Sequence, residues 1–355
     1  MKINKKILKS FTIIIIAIIC SFTPKIGANA SENSSCYIVI EKTSGRVLYE
    51  QNSTKKAYMA STTKILTAIC VIENFDIKKQ ITVPKECVGV EGSSVYLLDG
   101  EVYTVEDLLY GLMLRSGNDC AETLAISLSG SIENFAKLMN STAKKAGASM
   151  SNFVNPHGLH DDNHYTTAYD LALITRYALN NPTFAKISSC KSYTATEITS
   201  NAKRNWVNKN KILSSYDGAT GVKTGFTKKA GRCLVSSAKR GDLELICVVL
   251  NEPNHYGVTK SLFDDAFSKF SLVKLIDAKK FNYSLPNKDK SKYYKLKIDK
   301  DFIYPISTDE KIEIQIDLPK YLKSTPSNGQ KVGEIKIYSS KQLIFSQNIY
   351  TLIND

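Results

Sequence analysis

Ala60-Ser61-Thr62-Thr63-Lys64, followed by Ile65-Leu66-Thr67-Ala68-Ile69-Cys70-Val71-Ile72, reads as the start of an apolar helix that continues to about Asn74. Ser61 and Lys64 stand three residues apart, so on a helix both side chains leave the same face of the first turn. A serine hydroxyl is a weak nucleophile. A neighbouring lysine amine in a dry, electropositive pocket can shed its own proton and accept the serine's. Ser-x-x-Lys spacing is common by itself, and its plain alternative is a solvated lysine one turn along a helix. What the pair means therefore depends on what surrounds it.

Upstream, residues 36–41 and 46–49 flank Lys42-Thr-Ser-Gly45 as a β-hairpin. Downstream come a second helix at 105–114, with Thr104 as N-cap and Asp107 in the capping-box position, and helices at 120–129 and 132–146, the last closed by Gly147. Tyr165-Thr-Thr-Ala-Tyr-Asp170 opens a helix to Leu179 that Asn181-Pro182 ends, and 191–213 reads as a hairpin or extended loop. Three strands follow at 219–227, 232–238 and 243–250. A helix over 256–276 then places Leu262, Phe263, Ala266, Phe267 and Phe270 on one stripe. The fold class expected is α/β (α+β), a helix-covered sheet whose first hairpin pairs with the last strands. Beyond about Ala278, short alternating runs at 294–298, 311–316, 333–338 and 342–349 read as a small all-β domain. The expected division is 1–30, 31–275 and 276–355.

The first segment reads as an export signal. Lys2, Lys5, Lys6 and Lys9 precede an apolar stretch over 11–22, and Ala28-Asn29-Ala30 has the small-x-small form of a cleavage site, so cleavage after Ala30 is expected. An uncleaved anchor and a lipoprotein through Cys20 are the alternatives. The stretch is short for a membrane span, and Ile19 sits where a lipoprotein wants a small residue. Loss of the signal lowers the formal charge from +13 to +8. No basic block interleaves with aromatics, so nucleic acid is not an expected partner, whereas peripheral association with an anionic envelope and steering of anionic substrates are. Seven cysteines remain after cleavage, without CxxC spacing, which argues against a disulfide framework and a zinc site.

Two further stretches carry chemistry. Ser116-Gly117-Asn118 falls on the turn between two helices, where a hydroxyl can relay a proton and a carboxamide can orient Lys64 and a substrate carbonyl. Gly221-Val-Lys223-Thr224-Gly225-Phe226 lies on a strand. Lys223 adds positive charge near the nucleophile, Thr224 offers a hydroxyl to a substrate carboxylate, and Gly225 admits a substrate backbone. The backbone N–H groups of Ser61 and Phe226 are candidates for an oxyanion hole.

Ser61-Thr-Thr-Lys64, Ser116-Gly-Asn118 and Lys223-Thr-Gly225, in this order, resemble the three motifs of the active-site serine penicillin-recognising enzymes. The flanking text narrows the resemblance to the low-molecular-weight penicillin-binding proteins that act as D-alanyl-D-alanine carboxypeptidases: Leu114-Arg-Ser-Gly-Asn-Asp119, Asn155-Pro-His-Gly-Leu159, His164-Tyr-Thr-Thr-Ala-Tyr-Asp-Leu-Ala172 and Leu234-Val-Ser-Ser-Ala238. It covers about residues 36–275. It implies a β-lactamase/transpeptidase-like fold, peptidoglycan stem peptides as substrates, acylation of Ser61 with Lys64 as base, β-lactams as covalent inhibitors, and no metal or other cofactor. An arginine that some relatives use to bind the terminal carboxylate is absent, so that role falls on Lys209 or Arg204. Membrane-anchored members finish in an amphipathic helix, whereas 342–350 here alternates like a strand.

Three competing readings differ in chemistry. His157, His160, Asp161, Asp162 and His164 crowd together in the manner of metal ligands, but without the helical H-E-x-x-H arrangement. A β-lactamase, or a related serine esterase, shares the motifs, but a class A enzyme needs a glutamate beyond the second motif to activate the deacylating water, and 134–196 contains none. A non-catalytic wall-binding scaffold has no chemical need for Ser61, Lys64, Ser116, Asn118 and Lys223 together.

Overall fold

The computed structural model describes Ile13, Ile14 and residues 35–353, so the expected cleavage site lies outside the described residues. These residues form two compact units that part between Ser268 and Lys269.

The first unit opens with β1 (Cys36–Glu41) and β2 (Val47–Gln51). A 3-10 turn, Ala60–Thr63, leads into α1 (Lys64–Asn74), followed by β3 (Gln80–Thr82), β4 (Val102–Thr104) and α2 (Val105–Tyr110). Thr104 and Asp107 make the expected capping box, and a π-turn, Gly111–Arg115, carries the chain from α2 to α3 (Asn118–Ser129). Next come α4 (Ile132–Lys145), α5 (Ala168–Leu179), α6 (Pro182–Ser189), the hairpin β5 (Ser192–Thr196) and β6 (Lys203–Val207), and the short α7 (Ile212–Ser215). Strands β7 (Ala219–Thr227), β8 (Gly231–Arg240) and β9 (Leu243–Leu250) and helix α8 (His255–Lys269) complete it.

The main sheet has the order β2-β1-β9-β8-β7, with the first hairpin paired to the last strands as the sequence predicts. β9 is a continuous apolar run because both its faces are covered. Ile246, Val248 and Leu250 join Ile38 and Ile40 in the core shared with the helices, while Tyr216 and Arg240 on the sheet's other side meet Phe263, Asp264 and Phe267 of α8. Through the helical layer runs α1, whose residues 64–71 are all buried. A helix apolar on every side belongs inside a core, and this one carries Lys64 in with it.

Two elements differ from expectation. Pro182 does not merely end α5: Asn181 caps the N-terminus of α6 through Thr183 and Phe184 N–H, and Pro182 takes the first helical position, where its missing N–H costs nothing. The helix expected over 256–276 stops at Lys269, and Phe270–Ile276 is a strand, β10. Phe270 continues the helical stripe, but Phe270-Ser-Leu-Val-Lys-Leu-Ile276 also satisfies a strand, and pairing with Phe302–Ser307 decides it.

In the second unit that partner is β13, following β11 (Ser284–Pro286) and β12 (Tyr293–Lys297). Beyond it β14 (Ile312–Asp317), β15 (Lys331–Ser339) and β16 (Gln342–Leu352) join β12 and β11 in an antiparallel sheet of order β14-β15-β16-β12-β11, with Ile13–Ile14 paired on the outer edge of β14. Its core is separate, built on Leu285, Leu296, Ile335, Ile337 and Ile349.

Candidate active site

Lys64 occupies the first position of α1 and is fully buried. Its Nζ donates to Asn118 Oδ1 at 2.7 Å and to the His157 carbonyl at 2.7 Å, and stands 3.2 Å from Ser61 Oγ. Burial, reinforced by the Lys223 ammonium, holds its proton affinity well below that of an ordinary lysine. The positive end of α1 acts in the same direction. In the neutral amine the two N–H groups satisfy the two carbonyl oxygens, which leaves the lone pair facing Ser61 Oγ.

The turn that presents Ser61 is held from below. Ala60 has a left-handed φ of 48°. Its carbonyl accepts from Thr63 Oγ1 at 2.8 Å, and the Thr63 oxygen lies 2.8 Å from Nε2 of buried His164. His164 Nδ1 accepts from Val154 N–H, so Nε2–H is the donor to Thr63. Burial drives His164 down to about 3, so the ring stays neutral. Gly158 packs directly on the Ala60 carbonyl.

Asn118 is fixed on three sides. Its N–H donates to Ser93 O at 2.7 Å, its Nδ2 to Glu91 O at 2.5 Å, and its Oδ1 receives Lys64. The loop bearing Ser93 is pinned by buried Asp119, whose carboxylate collects Ser94 Oγ and the N–H groups of Val95 and Leu97. Ser116, nearly buried, sits at a left-handed φ of 64° between the π-turn and α3.

The third wall is β7, the edge strand beside β8. A side chain at Gly225 would stand 2.9 Å from Met59 O and 3.1 Å from Ser61 N, so only glycine lets the strand approach the nucleophile's backbone so closely. Lys223 is buried and donates to Thr224 O at 3.0 Å. Burial, then the Lys209 ammonium, pulls Lys223 down to about 7. Phe226 exposes its ring, with the Arg232 guanidinium 5.6 Å from the ring centroid.

Of the two carboxylate candidates, Arg204 is committed elsewhere. It donates to Val95 O and Tyr96 O and pairs with Glu101 at 2.5 Å. Lys209, whose N–H is tied to Leu114 O, depresses both Lys64 and Lys223 and so belongs to the same field. The histidine and aspartate cluster disperses. His157 pairs with Glu122, His164 supports Thr63, and His160 lies 3.5 Å from exposed Asp162. Six of the seven cysteines among the described residues are buried.

The sequence marks His164 only as a metal-ligand candidate and leaves the His157 carbonyl, Gly158 and Glu122 unmarked. His157 and Gly158 lie inside quoted stretches, but nothing about their residue types announces a backbone contact. Glu122 lies only four residues past Asn118, ahead of the glutamate-free stretch 134–196.

Over residues 24–254 the chain matches the D-alanyl-D-alanine carboxypeptidase family of peptidases, and over residues 270–354 the C-terminal domain of penicillin-binding protein 5. It is 35% identical over 263 residues to the D-alanyl-D-alanine carboxypeptidase DacF of Bacillus subtilis, covering 70% of this chain and 67% of that one. It is 33% identical over 240 residues to the D-alanyl-D-alanine carboxypeptidase DacB2 of Mycobacterium tuberculosis, covering 65% and 81%. The crystal structure of penicillin binding protein 5 from Haemophilus influenzae aligns with a TM-score of 0.77 at 27% identity, over 94% of this chain and 98% of that one. With the fold, the order of the three motifs and both domain matches in agreement, the chain belongs to the D-alanyl-D-alanine carboxypeptidase family of low-molecular-weight penicillin-binding proteins.

Proposed function

We propose that this protein removes the terminal D-alanine from peptidoglycan stem pentapeptides through an acyl-enzyme on Ser61, and that β-lactams acylate the same serine. The observation that carries this reading is the environment of Lys64, a fully buried amine held by two carbonyl oxygens with its remaining direction toward Ser61 Oγ.

In the proposed cycle Lys64 accepts the Ser61 proton as Oγ attacks the carbonyl between the two D-alanines. The oxyanion is stabilised by the N–H groups of Ser61 and Phe226. Ser116 passes the proton to the departing D-alanine amine, with Asn118 holding Lys64 in place. Water then cleaves the ester, its hydroxyl going to the acyl carbon and its proton back to Ser61. Lys223, Thr224 and Lys209 hold the terminal carboxylate, and Gly225 leaves the β7 edge open to the peptide backbone. The reading includes export, cleavage after Ala30 and peripheral association with the envelope. Among the described residues no helix is long and apolar enough to cross a membrane.

Incubation with a pentapeptide ending in D-Ala-D-Ala is expected to release D-alanine from the wild type and none above background from Ser61→Ala. Penicillin is expected to label the wild type once per chain, to block release of D-alanine while bound, and to stay bound for longer than the uninhibited enzyme needs for many peptide turnovers. Equal release by both proteins would sink the reading, and rapid penicillin turnover would move it to a β-lactamase.

The low proton affinity of Lys223 sets a pH dependence. Lys223 is charged below about 7 and loses its charge above it, so its hold on a carboxylate fades as pH rises. The alkaline limb of kcat/KM is therefore expected near 7 in the free enzyme. A substrate whose C-terminal carboxylate is replaced by an amide should lack that limb. An identical limb with both substrates would remove Lys223 from carboxylate binding.

A further inference from the structure

Glu122, on α3, directs Oε1 to within 3.2 Å of His157 Nε2. The other ring nitrogen, Nδ1, accepts from Leu159 N–H at 3.1 Å, so it carries no proton and Nε2–H is the donor to Glu122. Burial lowers the ring's proton affinity and keeps it neutral. With both nitrogens engaged, the imidazole is a strut and not a free base. What it braces is its own backbone, because the His157 carbonyl receives Lys64 Nζ at 2.7 Å. Asn155 grips the same segment from the other side, accepting from Gly158 N–H at 2.7 Å and donating to Leu159 O at 3.0 Å.

We infer that Glu122 is a positioning residue for the catalytic lysine: through the His157 imidazole it fixes the carbonyl that keeps Lys64 Nζ turned toward Ser61. The inference rests on the serine and lysine chemistry proposed above and adds to it a residue outside the three motifs. Its geometric basis is one chain of contacts, carboxylate to imidazole to peptide carbonyl to amine. Asn118 supplies the second carbonyl oxygen. Loosening the first therefore leaves the amine tethered on one side and free to rotate away from the nucleophile. A positioned group that loses one of two tethers keeps its chemistry but spends less time in the reactive orientation.

The test uses the whole mature protein and the variants Glu122→Ala and Glu122→Gln. Glu122→Ala is expected to lower the second-order rate of acylation by a fluorescent penicillin roughly tenfold, equivalent to about 1.4 kcal/mol. Its kcat on the D-Ala-D-Ala peptide should fall with KM unchanged. Glutamine keeps an oxygen acceptor for Nε2–H, so Glu122→Gln should stay within about threefold of the wild type. Acylation of Glu122→Ala at the wild-type rate overturns the inference. So does a variant that forms the penicillin adduct normally but releases it more slowly, because Glu122 would then act on the deacylating water. If Glu122→Ala does not fold, 15N-histidine spectra of the wild type decide the matter: His157 must be the Nε2–H tautomer, and a protonated Nδ1 overturns the inference. Failure of the underlying reading looks different, since the wild type itself would then release no D-alanine.

Discussion

Lys64→Met is expected to lower acylation by penicillin, and release of D-alanine, by roughly four orders of magnitude, the upper end of what a positioned base contributes. The loss is large because Lys64 Nζ is the amine held at 3.2 Å from Ser61 Oγ, and Lys223 turns its own toward the Thr224 carbonyl. Asn118 Oδ1 is an amide oxygen, and His157 and His164 spend both ring nitrogens on other partners. Stability should move in a way that a simple loss of packing would not produce. In the unfolded chain Lys64 is a cation up to about pH 10.4, whereas in the fold its proton is held far more weakly. Between those two values the unfolded state binds more protons, so the wild type gains stability as pH rises, and the penalty of burying the lysine is greatest at lower pH. Methionine has no such penalty, but leaves two carbonyl oxygens without their donor. Relative to the wild type, the variant should therefore be better placed at pH 7 than at pH 10. Denaturant unfolding at the two values checks this. A stability difference that does not change with pH would mean that Lys64 is charged in the fold, and the base assignment would fail with it.

How much of this site the sequence reveals follows from what kind of atom does each job. Side-chain chemistry was legible. Ser61 and Lys64 announce themselves by helical spacing, Asn118 by its place on an interhelical turn, and Lys223 and Gly225 by their strand. The secondary structure was legible where a local rule is strong, as with the capping box of Thr104 and Asp107 or the doubly covered run of β9. It failed where two rules apply to the same residues. Asn181-Pro182 is both a helix stop and a helix start, and Phe270 fits a helical stripe and an alternating strand equally well. In each case tertiary pairing decides, and pairing partners are distant in sequence. Backbone participants were illegible for a deeper reason. Every residue has a carbonyl, so nothing marks His157 as the one that receives Lys64. Glycine signals a close approach, but not to what.

Gly158 carries the second large effect, and a second glycine isolates its cause. A Cβ on Gly158 would stand 2.0 Å from Ala60 O, 2.4 Å from Ala60 C and 2.8 Å from Thr63 Oγ1, at a φ of +88°. The first two are backbone atoms beside the nucleophile and cannot rotate aside. If the 157–159 segment retreats, the His157 carbonyl leaves Lys64. If the Ala60 peptide retreats, Ser61 moves instead. Gly158→Ala is therefore expected to cost about 3 kcal/mol of stability, from the left-handed backbone and overpacking together. It should also slow acylation about a hundredfold, as a displacement near 1 Å at a reacting group can. Gly147, closing α4, has a similar φ of +90°, but an added Cβ would meet only Leu173 Cδ1, at an ordinary 3.6 Å. Gly147→Ala thus carries the backbone strain without the clash and should lose about 1 kcal/mol with acylation unchanged. Thermal melts and penicillin acylation rates for the two variants separate strain from displacement. Were both to lose stability and neither to lose acylation, the contact between Gly158 and Ala60 would be packing alone, and the support of the Ser61 turn would have to come from Thr63 and His164.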